Sequence, residues 1–241
     1  MSNTYFKFKQ FIIHQEHCAM KVCTDACIQG AFTAQHLALH GHAVKRVLDI
    51  GAGTGLLSLM VAQQHAADIT AVELDPGAAL QSRENFASSP WAERLHLKEA
   101  DIRTLPAEDQ FDFIITNPPF YESALKSGDA KKDQAMHATN LSYAALLEVI
   151  AAHLSRAGAF SVLLPYVEFE QFKLLAERAG FHLRRVLRVR QSARHTAWFR
   201  AVGIFEWTPG AVLPEDLVIY DEQNVYTLPF IDLLKDYYFK L

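Results

Sequence analysis

Asn117-Pro118-Pro119-Phe120 is the most specific chemical feature of the sequence. Two consecutive prolines have fixed φ angles and donate no backbone hydrogen bond, so the turn they make is stiff. Such a turn can aim the Asn117 amide oxygen and the Pro118 carbonyl at one point. An exocyclic amine lying there would donate one hydrogen to each. An amine conjugated to a ring is a poor nucleophile because its lone pair is delocalised. Holding both hydrogens on oxygen acceptors favours a pyramidal nitrogen, free to attack a methyl group carried on a sulfonium. The contribution is positioning and electrostatics, with no ionised base required. Phe120 adds a flat face on which a flipped-out base could stack. The plainer alternative is a turn that merely ends a strand.

Gly51, Gly53 and Gly55 form a second constellation, GAGTG, directly after the apolar run RVLDI at 46–50. Glycines let a backbone turn sharply and approach a ligand closely, and a following helix offers its N-terminus. A dinucleotide fingerprint would place the third glycine at position 56, which is leucine here, and this disfavours an NAD-linked oxidoreductase. Glu73 lies 20 residues beyond Gly53 and could accept both hydroxyls of a ribose, while Asp101 could reach an adenine amino group. Each acid ends a successive apolar segment, where open α/β sheets bind their ligands. The glycines and acids together point to a nucleoside cofactor.

The elements that must carry these residues alternate. Strands are expected at 46–50, 69–74, 94–101, 111–116 and 159–165, the last after a helix ended by Gly158. A helix follows GAGTG over 56–64, another opens at Asp75-Pro76, and, after the one ended by Gly158, a fourth near 167–179 stops at Gly180. From 182 onward the period changes to two, in HLRRVLRVR and then AVGIFEW, which predicts an antiparallel hairpin closing one sheet edge. Repeated βα units imply a parallel sheet covered on both faces. The expected plan is an α/β, Rossmann-like sheet in a single domain over 1–241. It comprises a lead-in over 1–45, a βα core over 46–180 and C-terminal strands over 181–241.

VLDIGAGTGLLSLM, AVELDP, EADIRTL and IITNPPF resemble, in order, the motifs of class I S-adenosylmethionine-dependent amino-methyltransferases. The lead-in FKFKQFIIHQEHCAMKVCTDACIQGAF and SPWAERL are similar to those of the bacterial valine-tRNA adenine-N6 methyltransferases, extending the resemblance over most of the chain. It implies a seven-stranded sheet with S-adenosyl-L-methionine held by Asp49, Gly51, Gly53, Gly55, Glu73, Asp101, Ile102 and Asn117. The target, by the same resemblance, is the adenine 3′ of the anticodon of a valine tRNA, held by Asn117, Pro118 and Phe120. In this chain Cys23 and Ala26 stand where that family's pattern has glycines, and Phe120 stands where tyrosine is expected. Asn-Pro-Pro-aromatic also serves methylation of protein glutamine, DNA adenine and ribosomal guanine, and those acceptors are the alternatives.

Composition bounds the partners. Half of the 241 residues are hydrophobic and mean hydropathy is +0.02, as in a folded globular chain. No apolar run approaches the roughly 20 residues that span a bilayer, and the N-terminus lacks a signal-peptide pattern, so a cytoplasmic location is expected. A monomer without a membrane partner is the corresponding expectation. The net charge of −4 hides an asymmetry: residues 181–200 hold six arginines and no acid, whereas 206–241 hold seven acids and two lysines. Arg184, Arg188 and Arg190 fall on one face of a strand. Lys7, Lys9 and Lys21 interleave with Phe6, Phe8 and Phe11 in the lead-in. A basic stripe with aromatics suits RNA, and the competing reading is protection of an edge strand. Lys126, Lys131 and Lys132 lie in the polar stretch 121–142. His14, His17, Cys18, Cys23 and Cys27 cluster within 14 residues, but their spacing matches no common zinc site, and no metal is expected.

Overall fold

Runs in which nearly every side chain is apolar form the middle strands of one sheet, as expected where both faces are covered. The computed structural model describes residues 3–18, 20–40, 43–119 and 141–241. The lead-in makes a small antiparallel hairpin, β1 (Tyr5–Lys7) with β2 (Ile12–His14), and then helix α1 (Thr24–His40). The core follows as β3 (Arg46–Ile50), α2 (Leu56–Gln64), β4 (Asp68–Glu73), α3 (Pro76–Ala87), β5 (Leu95–Glu99) and β6 (Phe111–Thr116). Next come α4 (Tyr143–His153), β7 (Leu154–Pro165), α5 (Tyr166–Arg178), β8 (His182–Ser192), β9 (Arg200–Glu206), β10 (Leu213–Tyr220) and α6 (Leu228–Leu234).

The sheet order is β10-β8-β9-β7-β6-β3-β4-β5. β5, β4, β3, β6 and β7 are mutually parallel, and β9 is antiparallel to both β7 and β8. One core packs Phe32, Met60 and Phe86 of α1, α2 and α3 against one face. The other packs Leu147, Phe169 and Phe172 of α4 and α5 against the opposite face, where Phe160 and Phe205 stack at 5.0 Å. This is the α/β plan expected from the βα alternation.

Three local features depart from the sequence-based expectation. The described sheet has eight strands, not seven, because β10 adds parallel to β8 and the hairpin is not its edge. Pro214 and the acids Glu215 and Asp216 break the alternation that would have announced β10. They are accommodated because β10 is an edge strand and because Glu215 and Asp216 ion-pair with Arg185 and Arg188 on β8. The helix expected to end at Gly158 ends at His153. Gly158 instead lies inside β7, where a Cβ would stand 2.8 Å from the Asp112 carbonyl oxygen beside the register shift with β6. Finally, Cys23 and Ala26, in place of glycines, lie just before and within the first turn of α1, whose first helical residue is Thr24 and which requires no glycine there.

Candidate active site

GAGTG leaves β3 as a tight left-handed path, with φ of +72° at Gly51, +57° at Gly53 and +79° at Gly55. The three glycines divide by what a side chain would meet. At Gly51 and Gly53 a Cβ would meet nothing within 4 Å, so the loop presents bare backbone to open space. At Gly55 a Cβ would stand 2.4 Å from the Phe86 ring, so that glycine serves close packing against α3. The loop is fixed from below by Gly51 N–H, which donates to Val72 O at 2.9 Å, and from the side by Gly53 N–H, which donates to Glu73 Oε2 at 2.8 Å. Glu73 thus ends β4 with its carboxylate against the glycine loop, and Asp75 N–H donates to its other oxygen at 2.8 Å.

Asp49 lies beneath this loop, fully buried, and accepts from Ser58 Oγ at 2.7 Å and Ser58 N–H at 3.2 Å. Its other oxygen has no partner among the described residues. Burial pushes its carboxyl up from 3.8 to about 7, despite the two bonds from Ser58. Asp101, after β5, caps the short helix Ile102–Thr104 and accepts from Arg103 N–H and Nε, each at 2.9 Å. The Arg103 guanidinium holds that carboxyl below its ordinary value. A nucleobase amine reaching Asp101 would therefore share it with Arg103. Ile102 is buried behind this turn.

At the end of β6, Asn117 is half-buried, Pro118 is buried and Pro119 is exposed. The Asn117 amide oxygen is buried and accepts no hydrogen bond among the described residues. An orphaned buried acceptor costs roughly 1–3 kcal/mol, so it marks a position that awaits a donor. The backbone leading to it is fixed on both sides. Gln29 of α1 donates through Nε2 to Thr116 O at 2.8 Å, and Thr116 Oγ1 donates to Ile50 O at 3.1 Å. Phe120, Lys126, Lys131 and Lys132 lie outside the described residues.

Two amides on α3 that the motif reading passed over tie the lead-in to this site. Asn85 accepts from His14 N–H and donates to His14 O and to Thr54 O in the glycine loop, each at 2.9 Å. Gln81 accepts from Glu16 N–H at 3.0 Å and His17 N–H at 3.2 Å. The strap so fastened brings Cys18 beside Glu73 and Asp75. Its thiol is pushed up to about 11 by burial, with those two carboxylates adding to the shift. An amide within a helix looks like a solvated face, and partners some 70 residues away leave no local signal.

The basic residues do not converge as one stripe. β8 runs in the same direction as β6, so Arg184 lies at the amino edge of the sheet, opposite Asn117. There it donates to Thr208 O at 3.2 Å and lies 3.4 Å from Glu206. Arg188 is mid-strand and paired with Asp216 at 2.7 Å. Arg190, near the carboxyl edge, stacks on Trp198 at 4.5 Å. Lys9 and Lys7 pack on the C-terminal segment, Lys9 against Lys235 O and Lys7 over Phe239 at 5.3 Å. That segment abuts the last turn of α2, through Gln63 to Asp236 O at 2.8 Å, and not the glycine loop. Lys21 sits in the strap, with Nζ 3.4 Å from Asn3 O. Among the described residues no three His, Cys, Asp or Glu side chains form a group that could hold a metal ion.

The chain matches the family described as "Methyltransferase small domain" over residues 29–184. It is 42% identical over 243 residues to the tRNA1(Val) (adenine(37)-N6)-methyltransferase of Dyadobacter fermentans, covering 99% of this chain and 98% of that protein. It is 39% identical over 243 residues to the one from Tolumonas auensis, covering 100% and 99% respectively. Among solved structures, a predicted O-methyltransferase from Agrobacterium tumefaciens shares the fold with a TM-score of 0.66 at 16% identity. That match covers 88% of this chain and 96% of the other.

Proposed function

The chain belongs to the tRNA1(Val) (adenine(37)-N6)-methyltransferases, within the methyltransferase small-domain family, and we propose that it methylates the exocyclic N6 of an adenine in tRNA. The adenine 3′ of the anticodon in a valine tRNA is the specific target of this reading. S-adenosylmethionine, when bound, supplies the sulfonium methyl. The residues present fit it: Gly51 and Gly53 leave room for close approach, Glu73 ends β4 against the loop, where its carboxylate would accept ribose hydroxyls, and Asp49 keeps a buried oxygen that has no partner among the described residues. Asp101 and Ile102 would bound the adenine of the cofactor.

The observation that carries the reaction is the buried Asn117 oxygen at the end of β6, which accepts no hydrogen bond among the described residues. Asn117 Oδ1 accepts one N–H of the target amine and the Pro118 carbonyl accepts the other. The amine so held would present its lone pair toward the glycine loop; the N–C bond would form as the C–S bond of the sulfonium breaks and a neutral thioether leaves, and the extra N–H proton would pass to water. Pro118 and Pro119 hold this acceptor pair rigid, and Gln29 and Thr116 keep the strand end from shifting. Phe120 would stack on the base. The chemistry needs no ionised base, only acceptors that are already oriented.

Asn117→Ala tests this assignment. Its turnover is expected to fall by about 100-fold or more, the scale of losing one preorganised contact, a loss far larger than any change in the dissociation constant for S-adenosylmethionine, which Asn117 would touch as one contact among several. Single-turnover kinetics and calorimetry measure the two quantities. Unchanged turnover would remove Asn117 from the catalytic role.

A further inference from the structure

The turn between β8 and β9, residues 193–199, stands on the same edge of the sheet as Asn117. Pro165 of β7 pairs with Arg200, and Thr116 of β6 pairs with Val162 of β7. The turn is therefore two strands across from β6 and three residues farther out, roughly 10 Å in each direction at the usual strand spacings. Its sequence, Ala-Arg-His-Thr-Ala-Trp-Phe, holds no acid. Trp198 is half-buried, with the Arg190 guanidinium 4.5 Å and the Arg188 guanidinium 5.1 Å from its ring centre. The charge of Arg188 is met by Asp216 at 2.7 Å. Arg190 and the exposed Arg194 have no carboxylate partner among the described residues. Arg194 donates to the Glu222 carbonyl. The turn is held in place by Phe199, whose N–H donates to Val189 O at 2.9 Å and whose carbonyl accepts from Tyr166 N–H at 3.2 Å.

From this juxtaposition we propose that Trp198 is the platform on which an unpaired nucleotide neighbouring the target adenine stacks, with Arg190 and Arg194 meeting the adjoining phosphates. The inference rests on the RNA reading of the Asn117 site and adds the surface that grips the substrate. Single-stranded nucleic acid is held by aromatic faces between cations, because every base has a π-face and every linkage a charge. Trp198 has the cation already on its ring and part of its surface open. The turn has no carboxylate to repel a phosphate. Its distance from Asn117 suits a neighbouring nucleotide, not the target itself.

Trp198→Ala is expected to raise the KM for unmodified tRNA about ten-fold or more, the scale of one lost base–aromatic stack, with the S-adenosylmethionine dissociation constant unchanged. Trp198→Phe, which keeps a ring, is expected to recover most of that loss. Binding is read separately by tryptophan-fluorescence quenching with an unmodified valine-tRNA anticodon stem–loop. Quenching in wild type that is largely missing in Trp198→Phe supports the platform whether or not methyl transfer follows. Quenching that is absent in wild type, or equally strong in Trp198→Phe, overturns it, as does an unaltered KM in Trp198→Ala. Intact quenching without methylation of any RNA would count against the functional reading and leave the platform standing.

Discussion

Asp49 sits where two demands on one carboxyl oppose each other. In the protein alone, burial favours its neutral form and places its pKa at about 7 instead of 3.8. The stability it contributes is therefore fully present below about pH 4 and lost as pH rises through about 7. A sulfonium bound at the glycine loop would favour the carboxylate. Affinity for S-adenosylmethionine is expected to rise, and the thermal stability of the free protein to fall, as pH goes from about 4 to about 7, both levelling off above that. Both trends should flatten in Asp49→Asn. Calorimetry and thermal melts across that window measure the two slopes, and an affinity independent of pH in wild type would contradict the assignment. Gly51, Gly53, Glu73 and Asn117 were legible because each ends an apolar run, and a strand end in such a sheet is a place for ligands. Gln29, Gln81 and Asn85 were not, since their roles depend on partners far away in sequence.

At the scale of elements, the lead-in is a strap fastened to α3 and, through Asn85, to the glycine loop. Asn85→Ala would leave the buried Thr54 carbonyl and the part-buried His14 backbone groups short of partners, at about 1–3 kcal/mol for a buried group so deprived. The expected outcome is a lower melting temperature together with a weaker S-adenosylmethionine affinity, because Thr54 belongs to the loop itself. Thermal melts and calorimetry on the same preparation read both. A lowered melting temperature with wild-type affinity would make the strap scaffolding only. The βα core was legible from its periodicity and its punctuation at Pro76 and Gly180. β10 was hidden because Pro214, Glu215 and Asp216 interrupt the alternation, and the partners that make this tolerable belong to β8. The helix end near Gly158 was misplaced for a related reason: that glycine serves a close approach to Asp112 across strands, not a cap.

Across the whole molecule, the arginine-rich and acid-rich stretches near the C-terminus interlock. Arg184, Arg185 and Arg188 meet Glu206, Glu215 and Asp216, and the free positive charge is concentrated at the carboxyl edge with Arg190 and Arg194. Period two predicts one face for Arg184, Arg188 and Arg190, but the register shift between Leu183 and Arg185 puts Arg184 out of phase with the other two, and six residues along a strand separate Arg184 from Arg190 by roughly 20 Å. Arg190→Ala is therefore expected to lower the salt dependence of tRNA binding by about one unit of slope, and Arg184→Ala to leave it unchanged. Titrations at several salt concentrations decide, and an equal loss in both variants would restore the single stripe. Methyl transfer itself is read with the purified protein, isotopically labelled S-adenosylmethionine and unmodified valine tRNA. The product is digested with ribonuclease and the fragments are resolved by mass spectrometry. The label is expected as N6-methyladenosine at the nucleotide 3′ of the anticodon, in wild type and not in Asn117→Ala. No label in the tRNA, or label at another atom or position, would contradict it.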